Sequence, residues 1–589
     1  MNTSGSNDPD ERTRAMTTSN EIVALAQRIF GWEGLRRGQA DAVGALVAGS
    51  DVLAVMPTGY GKSAVYQLAG HLLGGVTVVV SPLISLQVDQ IAHIAEQRDS
   101  DGAVAVNSTQ SRASNRHAWE AIASHEAEFL FLSPEQLARG EVIDQLRAVG
   151  VTLFVVDEAH CVSSWGYEFR PDYLRLGKVI AELGSPRVVA LTATASEPVR
   201  REIVERLMLR DPRILVHGFD RPNLQLQVSR HESRKDKAQA IERQVASLPL
   251  PGLIYVATHA AADQLSARLR ELGYRAAAYH GGQPAGARER TQDDFHAGAL
   301  DLVVATSAFG MGIDKADIRF VVHADIPDSL DDYYQQVGRA GRDGDPALAA
   351  LHFRPEDLAL QNRFASRAPG PDAVNRAVEA LGAQSAPRPV RDVAVHAALS
   401  PRSTGRVIAS LAEAEAVVES EAGVELAPGV SMAEASGSVH RLADRHRLIA
   451  LSRTAMMRGY AETLHCRRQF LLGYFGDELA APCGNCDTCA SGSAGAHPYV
   501  VASSDSSAVS FAAGAAVDHR VWGAGTVLST ESDRILVFFA SVGYKAVSLE
   551  VVAEGGILSP HGTGAGEPSR NEEGPLETPL GDRSSREGP

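Results

Sequence analysis

Short runs of Val, Leu, Ile, Phe and Ala recur between stretches of helical periodicity over nearly half of the chain. The first series is Asp51–Met56, Val76–Val80, Phe129–Leu132, Leu153–Val156 and Arg187–Leu191; the second is Leu253–Val256, Ala276–Tyr279, Leu302–Ala305 and Phe320–His323. Runs this apolar are buried on both faces, and strands alternating with helices demand a parallel sheet covered by helices. Two series predict two such α/β lobes, over residues 21–216 and 217–357.

The first series carries a phosphate loop. Strand Asp51–Met56 leads into Pro57-Thr58-Gly59-Tyr60-Gly61-Lys62-Ser63 and then a helix. Gly59 and Gly61 let backbone N–H groups close around phosphates, Lys62 reaches the β and γ phosphates, and the Ser63 hydroxyl is a ligand for Mg²⁺. The usual pattern has glycine where Met56 stands, so the match is to the shortened Thr-Gly-x-Gly-Lys-Ser form. Upstream, Trp32 offers a ring, Arg36 a planar cation and Gln39 an amide able to pair with adenine N6 and N7. Without the loop, the same three residues read as a helix-loop-helix cap.

Strand Leu153–Val156 ends in Asp157-Glu158, an acid to hold Mg²⁺ and one to polarise a water. The loop that follows holds Trp165, Tyr167, Phe169 and Arg170, groups that stack on bases and grip phosphates; the alternative is core aromatics beside a capped helix. Ser81 and Ser133 follow two further strands and place hydroxyls at a sheet edge, suited to a sugar-phosphate backbone or to plain helix caps. Thr192 and Thr194 follow a third strand, where these two threonines can report on the acids. In the second series, Ala305–Asp314 offers hydroxyls and glycines at a strand end. Gln335, Arg339 and Arg342 follow, the two arginines three residues apart on one helical face. Arginine there stabilises charge on a transferring phosphoryl group; the alternative is a solvated basic helix.

The net charge of −16 excludes wrapping nucleic acid over the whole surface and confines any such contact to a narrow path. No stretch is apolar enough to span a membrane, and residues 1–20 lack a secretion signal, which predicts a polar tail on a cytoplasmic protein. Cys466, Cys483, Cys486 and Cys489 stand in a C-x16-C-x2-C-x2-C arrangement, expected to close a tetrahedral structural zinc site. Cys161 reads as a small buried hydrophobe. The zinc module is expected over 358–490, with a winged-helix-like insert at about 371–453. A linker (491–510), a small β-barrel (511–559) and a second polar tail (560–589) complete the order.

Together these residues resemble the RecQ family of superfamily 2 DNA helicases, from Ile22 to about Asp357 and again from Tyr460 to Cys489. Phe30-Gly31-Trp32 with Arg36 and Gln39 looks like the family's adenine motif, and Asp157-Glu-Ala-His-Cys161 like its acidic motif. Trp165–Arg170 looks like its aromatic-rich loop, and Gln335–Gly344 like its arginine-finger motif, with Arg342 as the finger. The resemblance implies ATP- and Mg²⁺-dependent 3′ to 5′ unwinding of DNA in repair or recombination, on single-stranded and tailed or forked duplex substrates. Ser164 stands where the family usually has Gln and Tyr167 where it usually has His, both in the loop that couples DNA to hydrolysis. The last barrel resembles the Tudor-like modules ending UvrD/PcrA-type helicases, which implies a protein partner. Competing expectations are a translocase or RNA helicase that does not separate DNA strands, and a non-catalytic DNA-binding scaffold.

Overall fold

The computed structural model describes residues 19–57, 59–82, 84–98, 102–163, 171–310, 315–358, 369–383, 386–420, 422–477, 479–497, 511, 515–530, 534–539, 541–549, 551–552 and 557–561. Seven parallel strands build the first lobe: β1 (Val52–Val55), β2 (Val76–Val80), β3 (Ala103–Val106), β4 (Phe129–Leu132), β5 (Val151–Val156), β6 (Arg187–Thr192) and β7 (Arg213–Val216). Their order is β3-β4-β2-β5-β6-β1-β7. Every residue of β1, β2 and β4 is buried, as expected for strands covered on both faces. Because β5, β6 and β1 are neighbours and parallel, the loops after all three emerge at one sheet edge.

The second lobe is a parallel sheet of β8 (Leu224–Arg230), β9 (Gly252–Tyr255), β10 (Ala276–Tyr279), β11 (Leu302–Ala305), β12 (Phe320–His323) and β13 (Ala347–Phe353). The order is β10-β11-β9-β12-β13-β8. A helix over Leu330–Val337 follows β12. The two expected α/β lobes are therefore present, each with a strand order in which crossovers are covered by helices.

Beyond them, helices Pro371–Gly382, Val390–His396 and Pro401–Glu413 precede a hairpin of β14 (Val417–Ser420) and β15 (Gly423–Leu426), around a core of their own. Ser400 caps the third helix by accepting from Ser403 N–H. A 31-residue helix, Met432–Glu462, then runs without a break past the end of the expected insert into the zinc module. There the segment after Cys483 lies against the edge strand of the second lobe: Leu226 N–H donates to Asn485 O at 3.4 Å and Val228 N–H to Asp487 Oδ2 at 3.0 Å. An edge that would otherwise expose unpaired backbone is thereby covered.

The expected terminal barrel is a five-stranded antiparallel sheet in the order β19-β18-β17-β16-β20, comprising β16 (Ala516–His519), β17 (Gly523–Thr530), β18 (Arg534–Phe539), β19 (Gly543–Ser548) and β20 (Leu558–Pro560). Among the described residues β19 and β20 do not pair, so closure into a barrel is not seen. No helix among the described residues is long and apolar enough to cross a membrane.

Candidate active site and metal centre

The loops after β1 and β5 and the segment after helix Leu330–Val337 meet in one cavity of about 430 Å³. From the first lobe it is lined by Gly59, Gly61, Lys62, Ser63, Asp157 and Glu158; from the second by Gln335, Arg339 and Arg342. The Arg342 side chain crosses the cleft: a Cβ on Gly59 would stand 3.5 Å from Arg342 Cδ. Arg339, almost completely buried, lies near enough to Tyr255 and Glu158 to favour the ionised form of each. Thr58 lies outside the described residues.

The helix ends at Val337, so the two arginines expected on one helical face sit instead in the turn that follows it, and that turn is held from the inter-lobe connector. Arg221 donates to three of its carbonyls, Gly338 O at 3.3 Å, Ala340 O at 3.0 Å and Gly341 O at 2.8 Å, and Asn223 Nδ2 adds a bond to Gly341 O at 2.8 Å. Gly341 has φ +58°, and a Cβ there would meet Asn223 Nδ2 at 2.6 Å, so only glycine fits. Arg221 and Asn223 were not singled out from the sequence, because they act through backbone carbonyls well over a hundred positions away.

At the acidic pair, Glu158 adopts φ +47°, a left-handed conformation that costs a non-glycine residue about 1 kcal/mol or more. The turn points Glu158 back toward His160, whose Nδ1 stands 3.2 Å from Glu158 Oε2 and 3.0 Å from Thr192 Oγ1. Thr192 in turn donates to Thr194 O at 2.9 Å. The expected reporting hydroxyl is thus joined to the acids through His160, a residue of the acidic motif to which sequence reading gave no role. Burial and the neighbouring Glu158 push the Asp157 carboxyl up to about 7. Burial raises Glu158 as well, but the His160 hydrogen bond and Lys62 outweigh it and hold that carboxyl down at about 2. A buried carboxyl beside a second one and a serine hydroxyl is a donor set suited to Mg²⁺, so Asp157 and Ser63 fit that ion.

Gln39 is buried with both amide ends engaged. Its Nε2 donates to Tyr60 O at 3.0 Å and Gly61 O at 2.8 Å, while its Oε1 accepts from Arg36 N–H at 2.7 Å. Arg36 donates to Gly59 O and lies over the Tyr60 ring. Trp32 instead stacks on Phe30, with ring centroids 4.5 Å apart. In this conformation Arg36 and Gln39 hold the phosphate loop. Ser81 and Ser133, expected to offer hydroxyls at the sheet edge, are both buried. Trp165, Tyr167, Phe169 and Arg170 lie outside the described residues.

The four cysteine sulfurs of Cys466, Cys483, Cys486 and Cys489 lie within 4.8 Å of one another. Cys483 Sγ and Cys489 Sγ are 4.0 Å apart, close to the roughly 3.8 Å between ligands that a tetrahedron with 2.3 Å Zn–S bonds requires. Cys466 Sγ accepts from Cys483 N–H at 3.2 Å and Cys483 Sγ from Asn485 N–H at 3.4 Å, bonds that favour thiolates. The set fits zinc.

Family models match the chain over three stretches: a DEAD/DEAH box helicase domain at 36–202, a helicase conserved C-terminal domain at 237–344, and a RecQ zinc-binding domain at 431–490. The probable ATP-dependent DNA helicase RecS of Bacillus subtilis is 39% identical over 338 residues, 57% of this chain and 68% of that protein. The ATP-dependent DNA helicase RecQ of Haemophilus influenzae is 32% identical over 470 residues, 79% of this chain and 63% of that protein. Among solved structures, Mycobacterium smegmatis helicase Lhr bound to single-stranded DNA and AMP-PNP matches with a TM-score of 0.45 at 22% identity, covering 73% of this chain and 61% of that one.

Proposed function

Since the chain belongs to the RecQ family of ATP-dependent DNA helicases, we propose that it hydrolyses ATP between its two lobes. That hydrolysis drives 3′ to 5′ movement along single-stranded DNA and opens tailed or forked duplexes, in DNA repair or recombination. The observation that carries this reading is the single cavity lined by Lys62, Asp157 and Glu158 from one lobe and Gln335, Arg339 and Arg342 from the other.

Backbone N–H groups at Gly59 and Gly61 and the Lys62 ammonium receive the phosphates. Glu158, ionised, orients the attacking water and takes its proton, and His160 passes its state to Thr192. Arg342 reaches over the loop to stabilise charge on the transferring γ-phosphoryl. Ser63 and Asp157 would hold Mg²⁺, which when bound would supply positive charge to neutralise the phosphates and keep Asp157 ionised. The thiolates of Cys466, Cys483, Cys486 and Cys489 would hold zinc with four protein ligands and leave no position for a substrate, so the ion's part would be structural. Two lobes that share one triphosphate close on it and part after hydrolysis, and Trp165, Phe169 and Arg170 convey the presence of a strand to the acids.

The test is strand separation by the zinc-loaded protein, with ATP, on duplexes carrying a 3′ tail or a 5′ tail and on an RNA duplex of the same sequence. Opening of the 3′-tailed DNA alone, lost in Lys62→Ala together with DNA-stimulated hydrolysis, is the expected result. Hydrolysis without opening leaves a translocase, opening of the RNA alone an RNA helicase, and Lys62→Ala with full hydrolysis removes the phosphate-loop assignment.

A further inference from the structure

The terminal sheet is apolar on both faces. Along β18, Ile535, Val537 and Phe539 turn into the sheet's own core, while Leu536 and Phe538 turn the other way and pack with the core of the two lobes and zinc module. Tyr544 on β19 belongs to that second face. Its ring lies against Phe538 and against Tyr474 of the zinc module, with centroids 5.3 and 5.6 Å away.

The Tyr544 hydroxyl is 2.9 Å from Ser196 Oγ in the first lobe and 3.3 Å from the Tyr474 hydroxyl. Tyr474 donates to Asp331 Oδ2, in the second lobe, at 2.6 Å. Tyr474 has one hydroxyl hydrogen and spends it on Asp331, so it accepts from Tyr544, and Tyr544 in turn accepts from Ser196. All four side chains are more than nine-tenths buried. Ser196 occupies the N-cap of helix Glu197–Arg206 yet makes no side-chain cap bond, although capping is the ordinary use of a serine there. Its hydroxyl serves Tyr544 instead. Ser196 ends the turn that starts at Thr192, and Asp331 lies in the first turn of the helix carrying Gln335.

We propose that the chain of bonds from Ser196 through Tyr544 and Tyr474 to Asp331 is a relay by which the terminal sheet fixes the Thr192–Ser196 turn of one lobe against the Leu330–Val337 helix of the other. Tyr544 is then a positioning residue for coupling hydrolysis to the strand, and the partner of the terminal sheet is the chain's own motor. The coupling role rests on the helicase reading above; the brace itself does not.

The experiment uses the full zinc-loaded chain with Tyr544→Phe, Tyr474→Phe, Ser196→Ala and the double tyrosine variant. Tyr544→Phe keeps the ring packing, so the melting temperature stays near that of the parent. DNA-stimulated kcat is expected to fall about fivefold, the equivalent of one buried hydrogen bond, with KM for ATP and DNA-free hydrolysis unchanged. Because the bonds act in series, the double variant is expected to be no worse than Tyr474→Phe alone. Hydrogen exchange at 192–196 and 330–337, without ATP or DNA, is expected to quicken in all variants. Parent-like exchange, or additive losses in the double variant, overturns the proposal. A parent protein that hydrolyses no ATP with DNA sinks the helicase reading instead, and exchange alone then decides the brace.

Discussion

At the scale of single residues, the groups that line the inter-lobe cavity differ from the groups that aim them. Arg221 belongs to the second kind: a single guanidinium spans Gly338 O, Ala340 O and Gly341 O and so sets where Arg339 and Arg342 point. Arg221→Ala is expected to lower the kcat of ATP hydrolysis by about 10- to 100-fold, the cost of a misplacement near 1 Å, with KM little altered. Arg221→Lys should recover little, since an ammonium lacks the planar fork that reaches three carbonyls. Steady-state kinetics beside a thermal melt check this, and parent-like kcat in Arg221→Ala would refute the aiming role. His323 shows the same kind of dependence on a neighbour. It is wholly buried, its Nε2 is 2.7 Å from Gln336 Oε1, and burial holds it down at about 4. A folded value below the ordinary 6.5 means the unfolded chain binds the proton first. The stability His323 confers is therefore complete above pH 6.5 and is lost as pH falls from there toward 4, by about 2 kcal/mol at pH 5. Denaturant unfolding at pH 7 and 5 checks it: His323→Gln should lose about 2 kcal/mol less than the parent between those values, and equal losses would show that His323 does not titrate this way.

At the scale of elements, the zinc loop ties the helical region to the second lobe, through Asn485 and Asp487 on β8 and through Arg468, which donates to Leu224 O at 2.5 Å. Zinc binding of this type is worth on the order of 10 kcal/mol to a small module. Cys486→Ser is accordingly expected to lose the bound equivalent of zinc, to quicken hydrogen exchange along β8, and to leave exchange at β1 and β2 of the first lobe unchanged. Zinc retained at one equivalent, measured by metal analysis, would rule out Cys486 as a ligand. The elements differed in how openly the sequence announced them. Strands built of Val, Ile, Leu and Phe, such as β2 and β4, were legible, and so was the phosphate loop between β1 and its helix. Four strands of the two lobes were not. β13, Ala347-Leu-Ala-Ala-Leu-His-Phe353, is rich in a helix-favouring residue and becomes a strand only because β12 and β8 flank it. β3, β7 and β8 are edge strands with shorter or mixed apolar patterns. Site residues followed the same division. Lys62, Asp157 and Arg342 sit in dense local motifs, whereas Arg221 and Tyr544 gain their roles from contacts that no local spacing encodes.

At the scale of the whole molecule, a net charge of −16 sets how a nucleic-acid strand can be held. A cavity of about 870 Å³ opens where β9, β10, β11 and β12 end, lined by Thr258, Thr306 and Ser307 but also by Asp325 and Asp328. Among its described lining residues there is no Lys or Arg. If the strand runs over this surface, hydroxyls and backbone N–H groups grip its phosphates without neutralising them, and few counterions leave the DNA. Each phosphate neutralised on a single strand contributes about −0.7 to the slope of log affinity against log salt. Binding of a fluorescent single strand is expected to give a slope of about −2 to −3, three or four phosphates in all. The remaining affinity then comes from stacking, so Trp165→Ala with Phe169→Ala should weaken binding by about 1–3 kcal/mol per lost base contact while leaving the slope unchanged. A slope steeper than about −5 would mean a broad cationic track instead, and a slope that moves with the aromatic substitutions would mean that the loop carries charge contacts rather than rings against bases.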